Sequence, residues 1–159
     1  MKNNVSKLNS LFLIALYFLI QSSNISANEI KLKATEILTR EEGNIIIGNN
    51  DAEAKIQGEL EIYADKFTYN KKKNFLKAEG NVLAIDLLKN IKIKSNKIEF
   101  DKLNNKIFSK GKTFFDLNKK YEIESEDVDY MISEAIISSK EITKVNDDLN
   151  NKIRLSYFI

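Results

Sequence analysis

The sequence contains no cysteine, no histidine, no proline and no tryptophan. Without cysteine there can be no disulfide and no thiolate metal site. Without histidine, imidazole acid–base chemistry and histidine–metal coordination are excluded. Paired carboxylates remain, so a glycosidase-type hydrolase is still chemically open, but most of the usual catalytic equipment is missing. What is present is 43% hydrophobic and 30% charged over 159 residues, the balance of a single globular chain. Abundant Lys, Asn and Ile have the look of an AT-rich genome, which dilutes the meaning of any one lysine.

Long apolar runs are also lacking, with one exception. Lys2 and Lys7 precede the unbroken run "LFLIALYFLI" from Leu11 to Ile20, and the short polar stretch "QSSNISA" ends at Ala27. A positive start, a core of about ten apolar residues and a small residue at the cut are the parts of a secretory signal peptide. A membrane span needs roughly 20 apolar residues, so an anchor is the poorer reading. Cleavage is expected near Ala27–Asn28, with residues 28–159 as the exported domain. The full chain has 25 Lys+Arg against 23 Asp+Glu, and the leader holds two lysines and no acid. The mature chain is therefore formally neutral, with no basic excess to suggest nucleic acid. An exported domain without disulfides suits a bacterial periplasm.

The mature sequence repeats. Units open at "IKLKATEI" (Ile30), "LEIYADKF" (Leu60), "IKIKSNKI" (Ile91) and "YEIESEDV" (Tyr121), and "IRLSYFI" (Ile153) would open a fifth. The small residue of each opening is Ala34, Ala64, Ser95 and Ser125, spaced by 30, 31 and 30. A glycine recurs at Gly48, Gly80 and Gly111, with Lys140 in that place in the fourth unit. A period of this length marks a repeat architecture. The fifth unit stops early, so the domain is expected to be truncated there, since a finished array completes or caps its last repeat.

Within each unit the period is two. Leu60, Ile62 and Ala64 alternate with Glu61, Tyr63 and Asp65; Ile91, Ile93 and Ser95 alternate with Lys92, Lys94 and Asn96. That is a strand with one buried face. After the small residue the phase slips by one, so that Phe67 and Tyr69, Ile98 and Phe100, and Val128 and Tyr130 carry the apolar face. A one-residue slip reverses every side chain unless the strand bends, which predicts corners at Asp65-Lys66, Asn96-Lys97 and Glu126-Asp127. A polar turn and a return strand follow, on which Leu76, Ala78, Val82 and Ala84 share one parity, as do Ile107, Ser109, Thr113 and Phe115. Each repeat is thus a bent hairpin, and about nine strands stack into an elongated all-β body of two twisted sheets. One segment, "KEITKVNDDLNNK", has Ile142, Val145 and Leu149 at helical spacing.

At "YADKFTYNKKKNFLKAEGNV" (Tyr63–Val82) the chain resembles the repeat of the OstA-like family of lipopolysaccharide-transport proteins. A small residue, an apolar–aromatic pair, a polar turn and an "A-x-GNV" strand recur there about every thirty residues. Ala78-Glu79-Gly80-Asn81-Val82 is the clearest instance, while Gly48-Asn49-Asn50 and Gly111-Lys112-Thr113 depart from it. The likeness covers about residues 30–145. It implies a β-jellyroll without cofactor or catalysis that holds the acyl chains of lipopolysaccharide in an apolar groove and passes them toward the outer membrane. Two members fit: the N-terminal periplasmic domain of the outer-membrane translocon, which the unfinished fifth repeat favours and which would reach the membrane through a further C-terminal part, and, as the alternative, a free-standing periplasmic bridge protein. Like domains stack end to end, and uncovered edge strands are suited to that.

On this reading the groove is lined by Phe67, Tyr69, Phe75, Val82, Ile98, Phe100, Ile107, Val128 and Tyr130, with Phe108 a further inward aromatic. The plainer account is that the same residues form an ordinary sandwich core. Lys71, Lys72 and Lys73 could meet lipid phosphates, though a charge run at a hairpin tip is ordinarily a solvated turn. Glu122, Glu124, Glu126, Asp127 and Asp129 are hard oxygen ligands, yet alternation spreads them along a strand without the turn that wraps a cation. A carboxylate-pair glycosidase would need two acids converging in a cleft, and an exported structural repeat protein would need more, and more uniform, units. Neither is favoured.

Overall fold

Alternation of apolar and polar residues commits each unit to strands with one face to protein and one to water. The structure, a computed structural model, describes residues 29–56, 59–149 and 151–156. The expected leader lies outside them. In chain order the strands are β1 (Ile30–Lys33), β2 (Glu36–Arg40), β3 (Ile45–Ile56), β4 (Leu60–Asn70), β5 (Phe75–Asp86) and β6 (Ile91–Asp101). Then come β7 (Lys106–Ser109), β8 (Lys112–Leu117), β9 (Tyr121–Glu126), β10 (Asp129–Met131), β11 (Ile136–Ser138), β12 (Thr143–Asp147) and β13 (Lys152–Leu155). The segment with helical spacing is a strand: β12 pairs with β9 and β13, and Ile142 and Leu149 project from its ends into solvent. Partner strands on both sides outweigh three apolar residues at helical spacing.

Thirteen segments make eight bent strands and a ninth, β13, that lies in one limb only. β1 and β2 are the halves of one, as are β7 and β8, β9 and β10, and β11 and β12; β3 to β6 run through the bend unbroken. The first halves and second halves gather into two limbs. One limb orders β2, β3, β4, β5, β6, β7, β10 and β11; the other orders β1, β3, β4, β5, β6, β8, β9, β12 and β13. All neighbours are antiparallel, and the limbs meet along a crease where the register shifts between Asn49 and Ala52, Tyr63 and Lys66, and Glu79 and Val82. The predicted corners fall on this crease.

The crease turns by left-handed residues. Gly80 and Asn81 have φ of 78° and 46°, Gly111 77°, Asp127 46°, and Asn50 and Asp51 59° and 51°. At Gly80 the carboxylate of Asp65 occupies the space of a Cβ, and Asp65 accepts a hydrogen bond from Asn81 Nδ2 at 2.9 Å. Only glycine fits there. Gly48 is a different case from its apparent counterparts: its φ is ordinary, and the Phe67 ring lies where a Cβ would stand. The first unit bends two residues later, at Asn50-Asp51, so Gly48 aligns structurally with Ala78 rather than with Gly80. Both are register partners of Phe67.

The hairpin tips depend on asparagine. Asn74, Asn90, Asn105 and Asn118 have φ of 50°, 52°, 48° and 58°, a conformation asparagine tolerates better than most other side-chain-bearing residues. Successive tips are joined by backbone bonds, from Lys71 N to Asn44 O, Lys102 N to Asn74 O and Ile132 N to Asn105 O. The abundant asparagines thus have a structural use.

Candidate functional site

The interior between the limbs is where the sequence places the candidate groove. Phe67, Tyr69, Val82, Ile98, Phe100, Ile107, Val128 and Tyr130 all lie in it, none more than 7% exposed, as one continuous apolar cluster from Ile30 to Ile137. Side chains fill the space at these positions. Two residues are corrected. Phe75 and Phe108 face outward and are half-buried, because Leu76 and Ala78 on β5, and Ile107 and Ser109 on β7, hold the inner parity. An aromatic next to an inward aliphatic in a strand must point the other way. Phe108 instead helps line a small outer cleft with Asp129 and Ser138.

Along the crease the interior changes character. Toward the N-terminus it is lined by small apolar residues: Ala52 pairs with Ala64, and Gly48 and Ala78 flank Phe67. Toward the C-terminus the same line carries buried hydroxyls. Thr113 Oγ1 donates toward Ser109 Oγ at 2.8 Å and lies 3.3 Å from Ser95 Oγ. Ser125 and Thr143 hydroxyls are 2.7 Å apart, and Ser139 Oγ donates to Glu126 O at 2.7 Å. The strands are broken here, and these hydroxyls take up backbone groups that an unbroken ladder would pair: Val128 N donates to Ser109 Oγ at 3.2 Å.

One interior residue had escaped the sequence reading. Asp86, at the end of β5, is 1% exposed and faces inward with Val82 and Ala84. Tyr130 on β10, in the opposite limb, donates its phenol O–H to Asp86 Oδ2 at 2.6 Å. Lys89 N donates to Oδ1 at 2.9 Å and Lys89 Nζ lies 3.6 Å from Oδ2. Every partner donates, so the carboxyl serves as an acceptor only. Burial, then the neighbouring carboxylate, pushes the Tyr130 phenol far above its ordinary pKa. Tyr130 also meets Phe115 of the other limb edge to face, ring centres 6.4 Å apart at 76°. The legible signal was an acid on an otherwise apolar parity.

Outside the interior the polar features are surface ones. Lys71, Lys72 and Lys73 are exposed at the β4–β5 tip, where Asn44 and Asn70 side chains accept from the backbone N–H of Lys72 and Lys73. On the outer face Lys55 bridges Glu53 and Glu61 at 2.6 and 3.1 Å. Hydrogen bonds from Tyr63, then Lys55, hold the Glu61 carboxyl below the ordinary carboxylate range. Glu124 is lowered by Lys112 and Lys144. Among the described residues no group of three acids is placed to hold a metal ion. A cleft of about 620 Å³ on the outer face is bordered by Leu83, Ile85, Lys92, Lys94, Phe114 and Glu122.

Among the described residues the stack is open at both ends. β1 and β2 form one pair of edges and β11 and β13 the other. All five residues of β2 are exposed, Ile37 and Leu38 among them, as is Ile136 on β11. No protein-family profile matches the sequence, and no curated protein does. The architecture is similar to a crystal structure of LptH, the LptA homologous periplasmic component of the conserved lipopolysaccharide transport device from Pseudomonas aeruginosa. The TM-score is 0.63 at 10% identity, over 80% of this chain and 94% of that one. The two chains share a fold. The all-β jellyroll implied by the OstA-like resemblance is therefore present.

Proposed function

We propose that this chain is a periplasmic module for lipopolysaccharide transport, which receives acyl chains between its limbs and passes them on without covalent chemistry. The observation that carries the reading is the continuous apolar interior, running the length of a stack whose two ends, among the described residues, present unpaired strand edges. The fold shared with LptH supports it, and so does the repeat resembling the OstA-like family. Phe67, Tyr69, Val82, Ile98, Phe100, Ile107, Val128 and Tyr130 are the proposed acyl contacts. Phe75 is dropped from the set because it faces outward. Partners would be lipopolysaccharide and like jellyrolls, joined edge to edge at β1/β2 and β11/β13. The same module serves equally as a free-standing bridge or as the periplasmic domain of an outer-membrane translocon. A passive interior moves lipid in one direction only when pushed, so energy has to be supplied by another component.

In-cell photocrosslinking tests this with benzoyl-phenylalanine at position 100, which faces in, and at position 99, which faces out. Lipopolysaccharide adducts at 100 alone are expected. Adducts at neither position, in an exported and folded protein, would leave the interior an ordinary core.

A further inference from the structure

A packed interior can take up an acyl chain only if the limbs part, and the molecule is built unevenly for that. Between β3 and β6 four strands cross the crease without a break, so parting the limbs there means bending continuous backbone ladders. Beyond β6 the ladders stop at the crease, and the chain passes from limb to limb through irregular links at Lys110-Gly111, at Asp127-Val128 and between Ser139 and Ile142. The hydroxyl bond from Thr113 to Ser109 at 2.8 Å and that from Ser139 to Glu126 O at 2.7 Å bridge the limbs there, while Ser95 with Thr113 and Ser125 with Thr143 pair neighbouring strands beside the crease. Hydroxyls rotate and exchange partners at little cost.

Opposite that crease, where the tips of the limbs approach, stands the Asp86–Tyr130 bond. Asp86 ends β5 beside the exposed Leu87-Leu88 turn, and Tyr130 lies near the β10–β11 tip. A carboxylate in an apolar interior is costly unless its acceptor sites are met, and a core needing only packing would place an aliphatic residue there. We infer that the Asp86–Tyr130 hydrogen bond is a latch across the mouth of the C-terminal half, holding that half closed over the interior, and that its release opens the limbs about the hydroxyl-lined crease. The polar pair suits a closure that must reopen, since on parting both groups regain water. This rests on the proposed lipid carriage for its purpose, though not for its geometry, and it places acyl entry at the C-terminal half.

The absence of cysteine allows pairs of nitroxide labels to be introduced cleanly. One pair, at Leu88→Cys and Glu134→Cys, spans the mouth between exposed tips of opposite limbs; a control pair, at Lys72→Cys and Lys31→Cys, spans the N-terminal half. In Tyr130→Phe the carboxylate loses its phenol and is driven toward water. The population at longer 88–134 separation should rise about tenfold or more, as loss of a hydrogen bond to a charged group implies, while the control pair stays unchanged. Asp86→Asn, which keeps the shape and a weaker neutral bond, should shift the same way by less, and it decides the matter where Tyr130→Phe does not fold. Unchanged 88–134 distances in folded variants would overturn the latch, and so would equal lengthening of both pairs. Adding purified lipopolysaccharide to the unsubstituted latch should populate the same longer distance. If the variants open but lipopolysaccharide moves neither them nor the parent, the latch stands and lipid carriage fails.

Discussion

In the N-terminal half of the molecule the two limbs are coupled through the backbone, by β3, β4, β5 and β6 passing unbroken over a crease lined with Ala52 and Ala64. In the C-terminal half the ladders do not cross the crease, because each bent strand is interrupted at Gly111, at Asp127 or between Ser139 and Ile142; irregular chain and bonds such as Thr113 to Ser109 join the limbs, and hydroxyls stand where alanines stood. Alanine and serine differ by one oxygen, so the crease keeps its width and the limbs still approach. What changes is how separable the limbs are. A repeat that looks uniform at the level of period and parity therefore builds a fixed half and a half that can move.

The largest effect that could break this comparison is expected in the fixed half. Phe67 is 2% exposed and fills the space above Gly48 and beside Ala78. Phe67→Ala should cost about 3–5 kcal/mol, measured by urea unfolding, and should lower the stability of the whole chain. Ile137→Ala, in the edge strand β11, should instead act on its own wing and leave the protection of β4 and β5 amides intact. A global loss equal to that at Phe67 would mean the two halves unfold as one. Next in size is the difference in native-state hydrogen exchange between the halves of the unaltered protein. Amides of β10 and β11 should exchange about a hundredfold or more faster than those paired between β4 and β5, since short strands with few buried neighbours open sub-globally. Equal rates would remove the movable half.

Much of this architecture could be read from the letters because period and parity are local. The slip of phase after Ala64, Ser95 and Ser125 located the crease within a residue, and the nine strands followed. The failures are equally specific. Aromatic character favours the interior for Phe75 and Phe108, but the parity of Leu76 and Ile107 turns both outward. Gly48 was aligned by identity with Gly80, when its contact with Phe67 gives it the role of Ala78. The pairing of Asp86 with Tyr130 joins residues 44 apart in sequence across crossed limbs, and no local pattern reports which strand of one limb lies over which strand of the other. The inner-facing acid could be seen; its partner could not.

The hydroxyl crease is sharpened by exchanging the two chemistries. Thr113→Val keeps the shape but strips the shared donor and acceptor from Ser109 and Ser95, and should destabilise the C-terminal half by about 1–3 kcal/mol. The reverse change, Ala52→Ser, buries a hydroxyl among Ala54, Ala64 and the other apolar residues of the N-terminal crease and should cost a similar amount. If Ala52→Ser were neutral, the alanine lining would be incidental.

The smallest effect separates two carboxylates on the outer faces. Glu61, in the fixed half, accepts the Tyr63 phenol at 2.6 Å and a Lys55 ion pair at 3.1 Å. Glu124, in the C-terminal half, rests only on Lys112 and Lys144, each at 3.2 Å. Both carboxyls are held below their ordinary pKa. The stability they add is therefore present above the unfolded carboxylate pKa and is lost as pH falls through the ordinary range toward their folded values. Both are surface groups, so the slopes will be shallow. Salt should tell them apart: screening weakens the exposed ion pairs of Glu124 while leaving the short phenol bond of Glu61 largely intact. At high ionic strength Glu61→Gln should still flatten the acid limb of the stability curve, and Glu124→Gln should no longer do so. A salt response shared by both would mean that the phenol adds nothing to the ion pair, and that the two halves differ in how their limbs are joined but not in how their outer faces are charged.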